Sequence, residues 1–243
     1  MEQMDIKQHR SQRVMMLRRG MTVGIPIMLG YLPIAITYGV LAKQAGMSLV
    51  ELTFMSILVY AGASQFMAAN MIAVGAGAME IIIATFVLNF RHFVMSLSFT
   101  NRLRSVGINW KAPLTLGLTD ESFAVSSMHT KEPGMDKGGY FYAGIFITAY
   151  ISWIVGSFLG GVLGEVIPEN LSQSMGIALY AMFIGLIVPT VKKELKVGLI
   201  VIIAMLINTL CMELFHMSSG WAIVIGTVFG GFFGIFLLEE EQA

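Results

Sequence analysis

A chain of 243 residues that is 56% hydrophobic and only 12% charged is too apolar for a soluble globular domain, where about a quarter of residues carry charge. Its fifteen basic and fifteen acidic residues cancel, so there is no basic footprint for nucleic acid. A single cysteine, Cys211, excludes an intramolecular disulfide, and no Cys/His spacing fits a zinc site, so neither a metal nor a cofactor is expected.

Residues 1–20 form a basic tail with Lys7, Arg10, Arg13, Arg18 and Arg19. No small-residue cleavage site follows, so the first apolar run is expected to stay in the membrane. A spanning helix takes about 20 mostly apolar residues. The runs that meet this test are 21–41, 52–74, 79–100, 139–164, 171–190, 197–215 and 219–238. A further stretch, 113–128, is shorter and more polar, and reads as a half-helix, a re-entrant segment or a span hidden inside the bundle. The expected fold is an all-α, polytopic membrane bundle of about seven or eight transmembrane helices with one short or broken segment. It forms a single domain over 21–238, followed by a short acidic tail at 239–243, and no internal repeat is evident in the residues.

Cytoplasmic loops carry the excess of Lys and Arg, which places the N-terminal tail in the cytoplasm. With eight full spans, however, the cluster Arg102, Arg104 and Lys111 falls on the wrong side. Making one early segment re-entrant repairs that loop and displaces others.

Three polar constellations interrupt the apolar runs. In LVYAGASQFMAAN (58–70), Gly62, Ala63, Ser64 and Gln65 fit either small-residue helix packing or a broken helix whose freed N–H groups face an anionic ligand. In the second reading Ser64 and Gln65 add side-chain hydrogen bonds. Next come Asn89, Arg91 and His92, near the middle of 79–100. An arginine there costs at least about 2.5–3.5 kcal/mol and is expected to face the interior and pair. Arg91 stands too far from the run's end to snorkel. His92 suits a helix-packing hydrogen bond or a proton carrier.

The third constellation is GLTDESF (117–123), with adjacent Asp120 and Glu121. Neighbours on a helix point about 100° apart, so the two carboxylates serve different partners. One could face Arg91 and the other a cavity; alternatively both belong to a solvated cap with Thr119 or Asp120 at the N-cap. Glu51 and Glu80 at helix starts, and Glu213 and His216 near a turn, read as structural. Tyr31 and Pro33 read as a kink, and the nineteen methionines as adaptable core filler.

Four motifs, GYLPIAITYG (30–39), VYAGASQF (59–66), NFRHFVMSLS (89–98) and GLTDESFAV (117–125), in this order and spacing resemble the AzlC family, the large subunit of branched-chain amino-acid exporters. The likeness covers the first half of the chain; beyond residue 130 it lies in length and hydropathy. It implies a two-component exporter in a bacterial inner membrane, with a small AzlD-type membrane subunit as partner. The implied cargo is valine, leucine or isoleucine, with methionine a further candidate.

A secondary exporter is therefore the favoured function. The substrate carboxylate would meet N–H groups near Gly62–Gln65, and the ammonium Asp120 or Glu121. Phe66, Phe93 and Phe123 would accept the side chain. Asn89 and Arg91 complete the binding set, and His92, Asp120 or Glu121 would couple transport to protons. One alternative is the permease of an ATP-driven transporter; the chain has no G-x-x-x-x-G-K-[ST] loop, so the ATPase would be a separate chain. The other is an intramembrane serine hydrolase built on Ser64 with His92 or His129, which leaves Arg91 without a role. No enzymatic activity and no catalytic residue are expected.

Overall fold

The computed structural model describes residues 2–103, 108–129, 138–167, 177, 181, 184–185 and 187–239. The described residues form α1 (Glu2–Gln44), α2 (Leu49–Leu58), α3 (Gly62–Ala73), α4 (Ala78–Arg102), α5 (Ile108–Leu116), α6 (Asp120–Met128), α7 (Gly138–Leu163), α8 (Leu195–Glu213) and α9 (Ser219–Glu239). The fold is all-helical and polytopic. Five of these helices, α1, α4, α7, α8 and α9, are long and apolar enough to cross a membrane. The run 171–190 lies largely outside the described residues, as do Arg104, Lys131, Lys137 and the end of the acidic tail.

The centre of the bundle is the pair α1 and α7, which run side by side in the same direction. Gly20 lies against Phe141 and Gly144, Gly24 against Ile145 and Thr148, and Gly39 against Ser157 and Gly160. Small residues are needed here because the backbones touch: a Cβ on Gly160 would sit 2.1 Å from the Ile36 carbonyl oxygen. Such close approach is how helices associate where lipid removes the hydrophobic drive. α4 runs the opposite way, with Glu80 at its start and Phe99 packed on Tyr142 (5.3 Å between ring centroids). Glu80 is structural, as expected: its Oε1 accepts from the Ser218 hydroxyl (2.5 Å) and the Gly220 N–H (2.9 Å), holding the start of α9. Glu51 is likewise a cap, closing a capping box with Ser48 at the start of α2.

The run 52–74, expected as one span, is two short helices with a break at 59–61. The backbone there turns through Tyr60 at φ +43°, a region sparsely occupied by non-glycine residues. The two legs double back. α2 descends along α7: Leu49 and Leu52 lie against Gly161, Ser56 donates to Ser157 (2.8 Å), and the Tyr150 hydroxyl donates to the Ile57 carbonyl (2.8 Å). α3 then climbs back. Gln65 binds Trp153 at mid-height and Ser56 on the other leg, Phe66 meets Tyr38 further up α1, and Met71 reaches Gly220 beside Glu80. The chain re-emerges at the end where it entered.

The stretch 113–128 takes the re-entrant form, and with a break of its own at 117–119. α5 enters from the opposite end, where Trp110 packs on Tyr140 (4.6 Å), and reaches mid-height where Thr119 meets Tyr31. α6 returns to the starting end, where the His129 carbonyl accepts from the Tyr142 hydroxyl (2.9 Å). Each leg is 9 to 12 residues long, about 14–18 Å, half of a hydrocarbon core of about 30 Å.

A long helix followed by a hairpin therefore occurs twice, in opposite senses. Gln44 and Arg102 end the long helices, Leu58 and Leu116 the first legs, and Gly62 and Asp120 open the second legs, each pair 58 residues apart. The residues hide this repeat because the matched tips differ: Gly62 and Ala63 in one stand opposite Asp120 and Glu121 in the other. α8 and α9 pack antiparallel through Gly226, Gly230 and Gly234 against Asn208, Ala204 and Ile200. Arg13, Arg18, Arg19, Lys111, Lys192, Lys193 and Lys196 all belong to segments at one end of the bundle. At the other end Lys43 is paired with Glu165 (2.9 Å).

Candidate functional site

The two hairpin tips meet at mid-height between α1, α4 and α7, and they enclose a cavity. Its walls are Tyr31, Tyr60, Ala61, Gly62, Ala63, Arg91, His92, Thr119, Asp120, Glu121 and Trp153. The free space is about 30 Å³, enough for a water or two. Five long-separated stretches of sequence converge here.

Thr119 is the N-cap of α6. Its hydroxyl accepts from the Ser122 N–H (3.3 Å) while the Ser122 hydroxyl accepts from the Thr119 N–H (2.8 Å). That reciprocal cap fixes Asp120 and Glu121 as the first two residues of the helix, where the positive end of the helix dipole favours carboxylates. The cap is not a solvated loop; it sits at a hairpin tip inside the bundle. The two carboxylates diverge as helix geometry requires. Asp120 Oδ2 binds Arg91 Nη1 at 2.7 Å, with both side chains about one-third exposed. Glu121 turns the other way and accepts from the Tyr31 hydroxyl (2.5 Å), which has Thr119 Oγ1 at 2.7 Å on its far side.

Tyr31 is the site residue that reading the sequence as a kink missed. Its only signal was its position in GYLPIAITYG, two residues before Pro33, and nothing local connects it to a carboxylate 90 residues away.

α3 opens with Ala61 at its N-cap and no side-chain cap. The first N–H groups of any helix lack an intrahelical acceptor, and here the residues that carry them, Gly62 and Ala63, line the cavity. Gly62 also packs closely, since a Cβ would lie 2.7 Å from the Trp153 ring. The small-residue cluster thus packs closely and also stands at a helix break. Ser64 and Gln65 are placed differently from expectation. Both are fully buried behind the tip: the Ser64 hydroxyl bonds back to the Ala61 carbonyl (2.9 Å). Gln65 accepts from the Trp153 indole N–H (2.9 Å) and the Ala61 N–H (3.3 Å), and donates to Ser56 (2.9 Å). These bonds occupy Gln65 in holding α2, α3 and α7 together.

His92 presents Nδ1 to the Leu118 carbonyl (3.0 Å). A carbonyl only accepts, so Nδ1 carries the proton and Nε2 is left as an acceptor. His92 Nε2, Arg91 Nε and the Tyr60 hydroxyl are buried without a partner among the described atoms. Buried polar groups are normally satisfied, so three such atoms around one cavity mark a place where a polar guest fits. Asn89 lines a second, larger cavity that adjoins this one.

No described histidine is bonded to Ser64: His129 Nδ1 faces the Val125 carbonyl (2.9 Å) and His92 the Leu118 carbonyl. Among the described residues no group of acidic, histidine and cysteine side chains forms a metal site.

Residues 26–167 match the model of the AzlC protein family. The chain belongs to the AzlC family. The matched region holds both hairpins, α4, α7 and the part of α1 that carries Tyr31, and so every residue that lines the site. The chain is 29% identical over 189 residues to the branched-chain amino acid transport protein AzlC of Bacillus subtilis, covering 77% of this chain and 72% of the relative. An uncharacterized membrane protein of Archaeoglobus fulgidus is 30% identical over 186 residues, covering 76% and 80%. The inner membrane protein YgaZ of Escherichia coli is 30% identical over 134 residues, 55% of each chain. No solved structure matches. This chain is thus a membrane protein of a family that includes a protein named for branched-chain amino acid transport.

Proposed function

We propose that this chain is the large subunit of a secondary exporter of branched-chain amino acids, working with a small AzlD-type membrane subunit and coupled to protons. The observation that carries this reading is the convergence of two opposed hairpin tips, with charged and polar side chains, on one cavity at mid-bundle. A zwitterion needs one anion-binding and one cation-binding element within a few ångströms of each other, and the tips supply both. The N–H groups of Gly62 and Ala63, at the positive end of α3, receive the carboxylate. Glu121 receives the ammonium, steadied by Tyr31. Asp120 neutralises Arg91, so that the arginine costs little at this depth and still lends its unpartnered Nε to the substrate carboxylate. Glu121, Asp120 and His92 are the groups available for a coupled proton.

The basic residues at one end of the bundle support an orientation with that end, both termini and the second hairpin on the cytoplasmic side of a bacterial inner membrane. With both 52–74 and 113–128 re-entrant, Arg102 to Lys111 falls on the same side as the N-terminal tail. The topological conflict in the sequence then disappears.

The test is transport of L-valine in ATP-free liposomes by the protein purified with and without its small subunit, under an imposed proton gradient. The proposal expects gradient-dependent uptake that needs both subunits. Transport only with ATP and a further subunit would replace it with an ATP-driven permease.

A further inference from the structure

The two inverted units are not in the same state, and the difference lies beside the site. On α4, the larger cavity of about 410 Å³ is walled by Asn89, His92, Phe93 and Ser96, by Thr115 and Leu116 of α5, and by Val59, Tyr60 and Ala61 at the other hairpin's tip. It shares Tyr60, Ala61 and His92 with the site. Asn89 Oδ1, His92 Nε2 and the Tyr60 hydroxyl are buried in its walls without partners among the described atoms, beside the exposed apolar side chains of Phe93, Leu116 and Val59. From His92 it reaches toward Ser96 and Thr115, in the half of the molecule that carries the basic end.

The 58-residue displacement maps Ser96 onto Tyr38. Where Ser96 leaves space, Tyr38 fills it. The Tyr38 ring is fully buried, meets Phe66 of α3 edge-on (5.7 Å) and stacks on Trp153 (6.4 Å), and its hydroxyl points at the Leu52 carbonyl (3.5 Å). Ser56 and Ser157 complete the seal, hydroxyl to hydroxyl at 2.8 Å. The first hairpin is packed on its long helix through buried rings, whereas the second is tied to α4 by polar bonds from Arg91, His92 and Ser96, the last to the Thr115 carbonyl at 3.2 Å, with the cavity beside them.

We infer that the structure holds a one-side-open state: the 410 Å³ cavity is the approach to the site from the basic end, and Tyr38, Phe66 and Trp153 are the closed gate on the opposite side. Because the units are topologically inverted, exchanging their packing states closes the second hairpin onto α4 and frees the first from Tyr38. The site then faces the other way without the bundle being rebuilt. This inference rests on the transport reading of the site, and it names the path and gate which that reading requires.

The test uses a Cys211→Ser background reconstituted with the small subunit. Ser56→Cys and Ser157→Cys together place two thiols where the hydroxyls now touch, within reach of a disulfide. Oxidation, verified by mass spectrometry, is expected to lower L-valine transport at least tenfold, with recovery on reduction. A membrane-impermeant thiol reagent applied from the basic-end side is expected to label Ser96→Cys equally in the locked and unlocked proteins. Single Ser157→Cys is expected to label slowly from either side in the absence of L-valine. Undiminished transport by the verified crosslinked protein, or no labelling of Ser96→Cys from the basic end, would overturn the inference. If the unlocked parent fails to move L-valine, the substrate reading falls instead, and the labelling contrast between Ser96→Cys and Ser157→Cys still decides the gate.

Discussion

Replacing Asp120 by Asn removes the negative partner of Arg91 and leaves the rest of the tip intact. The pair is a single 2.7 Å contact between side chains that are 34% and 30% exposed, lining a small cavity inside the bundle. Breaking a fully buried pair by deleting one partner costs about 3–5 kcal/mol, and an unpaired arginine at helix centre costs about 2.5–3.5 kcal/mol on the insertion scale. Partial exposure lowers this to about 2–3 kcal/mol for Asp120→Asn, a drop in Tm of roughly 5–10 °C for a chain of this size. The double variant Arg91→Gln/Asp120→Asn has no charge left to strand. It should be more stable than the sum of the single changes by about 1–2 kcal/mol, the coupling expected of residues in contact. Thermal unfolding in detergent of the wild type, both single variants and the double variant closes the cycle. The charge swap Arg91→Asp/Asp120→Arg should recover part of the loss. Single changes that add without coupling would refute the pairing as the reason Arg91 is tolerated.

Three further outcomes follow from the geometry. Glu121→Gln, which keeps the shape of the side chain and its bond to Tyr31, should reduce L-valine transport at least tenfold while changing Tm by no more than about 2 °C; a large Tm loss would make Glu121 structural instead. Gln65→Leu should cost about 2–4 kcal/mol, because the Trp153 N–H, the Ala61 N–H and Ser56 lose a buried partner together, and thermal unfolding in detergent measures it. Gly62→Ala puts a methyl 2.7 Å from the Trp153 ring and should lower stability by about 1–3 kcal/mol through overpacking, seen as a fall in Tm with a shift in tryptophan emission.

Much of the fold was legible because membrane solvation writes it in composition: the runs at 21–41, 79–100, 139–164, 197–215 and 219–238 each lie in a long helix, overrunning its end by no more than two residues. The break at 59–61 was harder to read. Its residues, Val59, Tyr60 and Ala61, are apolar, and the turn depends on Tyr60 being held at positive φ by packing against Tyr150 (4.8 Å), a contact 90 residues distant. Arg91 and the acidic pair were legible as a problem in electrostatics, which requires a partner but does not choose between neighbours. The choice of Asp120 for Arg91 and Glu121 for Tyr31 comes from the reciprocal cap between Thr119 and Ser122, which sets the rotation of α6. Ser64 and Gln65 stand out as polar in an apolar run, and a buried polar side chain reads the same whether it serves a ligand or locks three helices. The repeat escaped because it survives in the turning points of the chain and not in residue identity.

The most direct measurement is binding of L-valine, 3-methylbutanoate and 2-methylpropylamine to the purified complex and to its Glu121→Gln variant, by calorimetry. A site that holds the carboxylate on the N–H groups of Gly62 and Ala63 and the ammonium on Glu121 predicts that the wild type binds L-valine and neither analogue at comparable strength. It also predicts that Glu121→Gln loses L-valine at least tenfold. Equal binding of L-valine by wild type and Glu121→Gln would contradict it.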